Sequence, residues 1–372
     1  MKIGIPKEIK NHEYRVGMTP TSVREAVHHG HEVVVETNAG GGINATDEDY
    51  VAAGASVLAS AAEVFAAADM IVKVKEPQPQ ERKMLREGQI LFTYLHLAPD
   101  PAQTKDLVDS GAICIAYETV TDAHGGLPLL APMSQVAGRM SIQAGARCLE
   151  REAGGRGVLL AGVPGVRPAK VVIIGGGVVG ENAAYMAVGM GADVTILDRN
   201  VDTMRALVVR FGQSIKTVYS TQLALEEEVL AADLVIGAVL LPGAEAPKLV
   251  TRDLVSRMKP GSVIVDVAID QGGCAETSKA TTHADPTYVV DDVVHYCVAN
   301  MPGAVSHTST YALNNVTLPF TLAIADKGYK QALLDDPHLL NGLNVCGGKV
   351  TYKAVAEDLD YEYVDPKTAL GA

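Results

Sequence analysis

Apolar positions along this 372-residue chain gather into short runs separated by stretches with helical spacing. In the first part the runs sit near Lys2–Pro6, Glu32–Glu36, Met70–Lys75, Ile90–His96 and Ala112–Glu118. Helical patterns lie between them, at about 20–30, 46–53, 60–67, 78–86 and 100–110. Strands that alternate with helices predict a parallel α/β sheet. Met133–Glu152 predicts a long helix, and Gly154–Pro168, with its Gly and Pro, a linker. Further buried strands are expected at Val171–Ile174, Asp193–Leu197, Lys216–Tyr219, Asp233–Val239 and Ser262–Ile269, with another over Tyr288–Val298. Thr308–Lys327 predicts a second long helix that carries the chain back to the first domain.

The most specific signal is Gly175-x-Gly177-x-x-Gly180. A strand precedes it, a run of small helix-forming residues follows, and Asp198 closes the next strand eighteen positions beyond Gly180. This is the context of a dinucleotide-binding βαβ unit. Gly175 permits the tight turn, Gly177 lets the backbone approach a pyrophosphate, and Gly180 lets helix and strand pack closely. Free N–H groups at the helix start suit phosphates. Asp198 is placed to accept ribose hydroxyls and repel a 2′-phosphate, which favours NAD over NADP, with Arg199 beside it softening the preference. The earlier stretch 30–36, GHEVVVE, echoes 191–198, GADVTILD, as if two related units were present, only the second carrying the glycines. The expected fold is α/β: two Rossmann-like doubly wound parallel-sheet domains separated by a cleft and linked by long helices. A discontinuous substrate domain, 1–133 plus 305–372, surrounds an NAD-binding domain, 134–304.

Composition narrows the partners. The formal charge of -13 argues against a nucleic-acid surface, so any anion must be held by locally placed cations. Five cysteines, at 114, 148, 274, 297 and 346, form no CxxC, which fits a reducing compartment. The first ten residues hold no apolar leader and no run reaches the length of a membrane span, so a cytoplasmic location away from membranes is expected.

Ionisable residues recur where predicted strands end: Lys75, His96, Glu118 and Asp270, with Arg15 in the loop that leaves the first strand. Ligands of open parallel sheets bind beyond the carboxyl ends of the strands, so Arg15, Lys75, His96 and Asp270 are expected to share one site in the cleft. Taken singly, each has a structural alternative, as a solvated lysine, a satisfied imidazole or a turn cap, and Glu118 as an ion-pair partner. Together they suggest chemistry. Arg and Lys suit a carboxylate, an imidazole passes protons near neutrality, and a dinucleotide takes hydride. That set describes oxidation of a small 2-amino or 2-hydroxy acid.

The chain resembles the L-alanine dehydrogenases, relatives of the NAD-binding subunit of proton-pumping transhydrogenase. The resemblance rests on 1–20, MKIGIPKEIKNHEYRVGMTP; 94–100, YLHLAPD; the glycine loop; 265–273, VDVAIDQGG; and 298–315, VANMPGAVSHTSTYALNN. It implies reversible conversion of L-alanine, NAD and water to pyruvate, ammonia and NADH, in a homohexamer. It also implies that Arg15 and Lys75 hold the substrate carboxylate and that His96 and Asp270 form the catalytic pair. Cofactor contacts are implied at Ser134, Val178, Val179, Asp198, Ser220, Val239, Leu240 and Lys279, and along Val267, Ala268, Ile269, Asp270, Val298, Ala299, Asn300 and Met301. Relatives carry Lys or Arg where this chain has Thr203, and some carry a metal-ligating His where it has Lys327. No metal site with Glu118 is therefore expected. Three other readings stand beside this one: a transhydrogenase subunit, a non-catalytic NAD(H) sensor, and a lysine-pathway oxidoreductase of similar plan.

Overall fold

The computed structural model describes residues 1–239 and 246–372. They divide into two compact units, Met1–Met133 with Gly303–Ala372, and Ser134–Pro302. The chain passes from the first to the second within the helix Ala131–Cys148 and returns just before the helix Ser306–Lys327.

In the first unit, β1 (Lys2–Ile5), β2 (Glu32–Glu36), β3 (Ser56–Leu58), β4 (Met70–Val72), β5 (Ile90–Thr93) and β6 (Ile113–Ala116) are parallel and lie in the order 3-2-1-4-5-6. The second unit holds β7 (Lys170–Ile174), β8 (Asp193–Asp198), β9 (Ile215–Tyr219), β10 (Leu234–Gly237), β11 (Val263–Asp266), β12 (Thr287–Val290) and β13 (Val293–Tyr296). Its parallel strands run β9-β8-β7-β10-β11-β13, the same doubly wound order, with β12 antiparallel at the edge. After the return, β14 (Leu343–Cys346) extends the first sheet antiparallel to β6, and β15 (Lys349–Val350) pairs antiparallel to β14 at the edge.

Helices cover both faces, so β6 (ICIA) and the last four residues of β7 (VVII) are buried throughout and read as unbroken apolar runs. Val64 and Phe65 of one helix pack with Ile71 and Leu91 in the first core. Leu225, Val229 and Leu254 pack with Val172, Val235 and Ile264 in the second.

Several boundaries differ from the sequence expectation. The run expected to reach Lys75 is a strand only to Val72; beyond it the Val74 N–H goes to the Glu8 carboxylate at 2.7 Å, while Lys73 and Val74 keep backbone bonds to Phe92 and Tyr94. The run expected to reach Ile269 stops at Asp266, whose side chain caps a 3-10 turn over Val267–Gln271. The single strand expected over Tyr288–Val298 is a hairpin. Asp291 and Asp292 turn it at φ +49° and +61°, a left-handed pair suited to a two-residue loop. The helix expected over 78–86 is only Pro79–Arg82. The long helix begins at Ala131 and ends at Cys148, short of Glu152. The short strands β3, β14 and β15 had no sequence expectation.

Candidate active site

Both sheets have a switch point where the strand order reverses, and there loops diverge to leave a crevice. In the first unit it lies between β1 and β4. Arg15 stands in the segment that follows β1 and Lys75 in the segment that follows β4. His96 follows β5, and Glu118 follows β6. Gly17 brings two of these segments together: a side chain there would collide with the Val72 carbonyl at the end of β4. Thr93 Oγ1 donates to the Lys75 carbonyl at 3.0 Å and ties that segment to β5.

Arg15 is 2% exposed. Its Nε and one terminal nitrogen donate to the two Glu13 oxygens at 2.7 and 2.6 Å, and its other terminal nitrogen lies 3.1 Å from Met133 Sδ. Burial works against the guanidinium charge, yet the Glu13 carboxylate outweighs it and holds the Arg15 pKa above its ordinary value. The Glu13 carboxylate thus holds the Arg15 guanidinium flat. Lys75 is half-buried, with its backbone N–H on Glu8 at 3.3 Å. Beside it, Glu76 is raised by burial but pulled below its usual range by the Lys75 and Lys10 charges. Tyr94, whose hydroxyl donates to the Leu129 carbonyl at 2.5 Å, is pushed up by burial against the pull of the Arg15 charge.

His96 adopts φ +50°, in the left-handed region. That conformation costs a non-glycine residue about 1–3 kcal/mol and gathers at functional sites. Glu118 holds it there by accepting the His96 N–H at 2.6 Å and the Leu95 N–H at 3.1 Å. The His96 ring stacks on Tyr94, with centroids 5.9 Å apart and planes 6° apart, and its Nδ1 stands 3.9 Å from Glu118. The side chain is 43% exposed and so open to a small molecule.

Sequence reasoning passed over the charges that support these residues. Lys73, Glu8, Glu81 and Glu13 are all buried. Lys73 Nζ donates to Glu81 at 2.7 Å and to Glu8 at 3.1 Å. Burial, with the Glu13 and Glu81 charges, raises the Glu8 pKa in spite of Lys73. The available signal was the alternation in Ile71-Val-Lys-Val-Lys75, which sets Lys73 in the middle of an apolar run.

The second unit carries the residues expected to meet a dinucleotide, and Asp270 lies in it too. The glycine loop follows β7, beside β10 at the switch point. Gly175 has φ +103° and its α-carbon faces the Ala238 carbonyl, while a side chain on Gly180 would overlap the Gly175 carbonyl. Nothing crowds Gly177, and the helix Val178–Gly189 starts there without a side-chain cap. No side chain caps its first N–H groups, which suits a pyrophosphate. Asp198 accepts the Gly176 N–H at 2.7 Å and the Asn200 N–H at 2.7 Å, so it braces the loop as well as ending β8. Thr203 lies against Gly176, beside Asp198.

Ser220 follows β9, Val239 follows β10, Val267–Asp270 follow β11 and Val298–Met301 follow β13. These positions therefore share the carboxyl end of one sheet. Ser134 sits a turn before Gly138, which packs against the Val179 carbonyl. Lys279 is exposed, and its N–H donates to the Tyr288 hydroxyl at 2.6 Å. Asp270 is exposed on its 3-10 turn, and Leu240 lies outside the described residues. These features fit a dinucleotide. Substituting Gly180 with alanine is expected to weaken NADH binding at least about tenfold, equal to about 1.4 kcal/mol, because the added methyl must displace the loop. Fluorescence titration checks this, and unchanged affinity would remove the loop from the cofactor site.

A doubly wound sheet with such a loop, joined to a unit that places cations at its own switch point and an imidazole after the neighbouring strand, defines the class of two-unit dinucleotide-dependent oxidoreductases. The description "Alanine dehydrogenase/PNT, N-terminal domain" matches residues 4–137 and "Alanine dehydrogenase/PNT, C-terminal domain" residues 141–353. An alanine dehydrogenase of Halomonas elongata is 62% identical over 371 residues, covering all of both chains. A solved L-alanine dehydrogenase superposes with a TM-score of 0.94 at 54% identity, covering 97% of this chain and 99% of that one. A transhydrogenase structure from Sinorhizobium meliloti gives 0.81 at 26% identity, over 95% and 100%. The chain belongs to the alanine dehydrogenase/PNT family and is an NAD-dependent oxidoreductase.

Proposed function

We infer that the protein catalyses the reversible oxidative deamination of L-alanine to pyruvate and ammonia with NAD. The observation that carries this reading is the convergence of Arg15, Lys75 and His96 on the carboxyl ends of β1, β4 and β5, in a chain 62% identical to an alanine dehydrogenase. The residues implied by resemblance keep their roles here as a proposal.

Arg15 and Lys75 hold the substrate carboxylate, which persists from alanine to pyruvate, so their contribution is mainly binding. His96 takes a proton from the alanine ammonium, directly or through water. NAD, when bound, accepts the hydride that leaves the alanine α-carbon. Water then adds to the resulting imino acid, its proton passing to His96 or Asp270. Those two groups return a proton to the nitrogen as the carbinolamine breaks into pyruvate and ammonia. Asp198 favours NAD over NADP by repelling a 2′-phosphate.

The direct test is NADH oxidation with pyruvate and ammonium, each omitted in turn. Turnover that requires both supports the reading. Oxidation without ammonium points to a 2-hydroxy acid as the product, and cofactor binding without turnover points to a sensor. The likeness to a transhydrogenase at 26% identity supplies a second reading, in which NADH is oxidised by a nucleotide analogue rather than by pyruvate.

Self-association, as a homohexamer, is part of the same proposal. The segment 157–168 turns through a Val163–Val166 bridge and leaves Leu159, Val163 and Val166 at 64%, 54% and 63% exposure, apolar surface that a second copy would cover. No helix among the described residues is long and apolar enough to cross a membrane. All five cysteines are buried and free, in keeping with the proposed cytoplasmic location.

A further inference from the structure

We propose that Asp266 is a positioning residue that sets the location of the Asp270-bearing turn. This rests on the reading in which Asp270 handles protons. Asp266 ends β11 and is fully buried. Its Oδ1 accepts the Ala268 N–H at 3.1 Å, two residues before Asp270. Its Oδ2 accepts the Cys274 N–H at 2.8 Å, the Ala275 N–H at 3.2 Å and the Ser278 hydroxyl at 2.5 Å. Asp270 therefore lies on a short span anchored on both sides by one carboxylate.

The surroundings are built for that carboxylate. A side chain at Gly237 would come within 2.7 Å of Oδ1, and one at Gly273, φ +82°, within 2.7 Å of Oδ2. Residues further along the same segment are fixed in turn. Thr277 Oγ1 lies 2.8 Å from His295 Nε2, and His295 Nδ1 lies 2.9 Å from the Val293 carbonyl. Because that carbonyl can only accept, Nδ1 carries the proton and Nε2 accepts from Thr277. Burial holds His295 below its ordinary pKa, consistent with this neutral form. A neutral cap would serve a turn that needed only to be closed. A carboxylate that takes bonds from both 268 and 274–278 instead fixes the span between them as one piece.

The four N–H and O–H groups on Asp266 are donors, and the Cys274 thiol bonds it as well, so asparagine does not reproduce its acceptors. With the amide oxygen kept at the three-bond position, the NH2 group confronts the Ala268 N–H. The bond nearest Asp270 is then the one lost.

The test is a double-mutant cycle on kcat at saturating NADH, pyruvate and ammonium. Asp266→Asn is expected to lower kcat about 10- to 100-fold in the parent enzyme and less than about twofold in an Asp270→Asn background, because a misplaced group that is already absent costs nothing more. Equal losses in both backgrounds would overturn the proposal and leave Asp266 as a fold residue. An Asp270→Asn enzyme with parental kcat would instead remove Asp270 from the mechanism, and the proposal with it. Should Asp266→Asn not fold, Ser278→Ala removes one of the four bonds and the same cycle is read on its smaller loss, about two- to fivefold, with equal losses again overturning the proposal.

Discussion

Replacing His96 with alanine is expected to lower kcat for reductive amination of pyruvate by about 10²–10⁴-fold, the usual worth of a positioned proton-transfer group. NADH affinity should hold within about twofold, because the residues proposed to meet the dinucleotide lie in the other unit. The structure separates the chemical loss from the structural one. Alanine removes the imidazole and also leaves a β-carbon in a left-handed backbone position. Asparagine tolerates that conformation better than most residues and cannot shuttle a proton as imidazole does. A loss shared by His96→Ala and His96→Asn is therefore chemical. Near-parental turnover in the asparagine variant would show that the imidazole is dispensable and would move proton transfer to another group. The surroundings argue against that outcome, because Glu118 spends hydrogen bonds on two successive N–H groups to hold a conformation that relaxation would otherwise remove.

Much of this site was legible because it depends on strand ends and on glycine. An unbroken apolar run followed by glycines at fixed spacing admits few structures, and the loop after β7 has the form that spacing implied. Lys75, His96 and Asp270 were singled out because each follows an apolar run, even though all three runs stop being strands earlier than expected. What stayed hidden was the support beneath them. Glu13 is two residues from Arg15 in sequence, and nothing in a polar loop reveals that they pair in the interior. Asp266 sits within an apolar run that reads as continuous strand, and only its four converging donors expose it as an anchor. The edge strands β14 and β15 were missed for a related reason. They are four and two residues long, and β14 joins the sheet by pairing with β6, a segment more than two hundred residues away.

The largest stability effect is expected at Lys73, a residue that touches neither proposed ligand. Its ammonium is fully buried and donates to Glu8 and Glu81, themselves buried. Lys73→Met keeps the volume and removes the charge, which leaves two carboxylates without their cation. Breaking a buried pair in this way costs about 3–5 kcal/mol. The loss should depend on pH with a definite sign. The folded-state pKa of Glu8 is raised above its ordinary value, so its favourable contribution is complete below that value and is lost as pH rises through the raised one. The Lys73 charge opposes the shift, and removing it drives Glu8 higher still. Urea midpoints should therefore fall more at about pH 8 than at about pH 5.5, where Glu8 can take up a proton and shed its charge. Adding Glu8→Gln to Lys73→Met should recover part of the loss at the higher pH, since the amide oxygen can still accept the Val74 N–H without carrying a charge. A midpoint unchanged by Lys73→Met, or a loss equal at both pH values, would mean that Glu8 and Glu81 find other compensation in the fold. Lys75 takes its backbone position from the same Glu8 carboxylate. The KM for pyruvate should accordingly rise in Lys73→Met even where the protein remains folded, which links this buried charge to the substrate carboxylate it never meets.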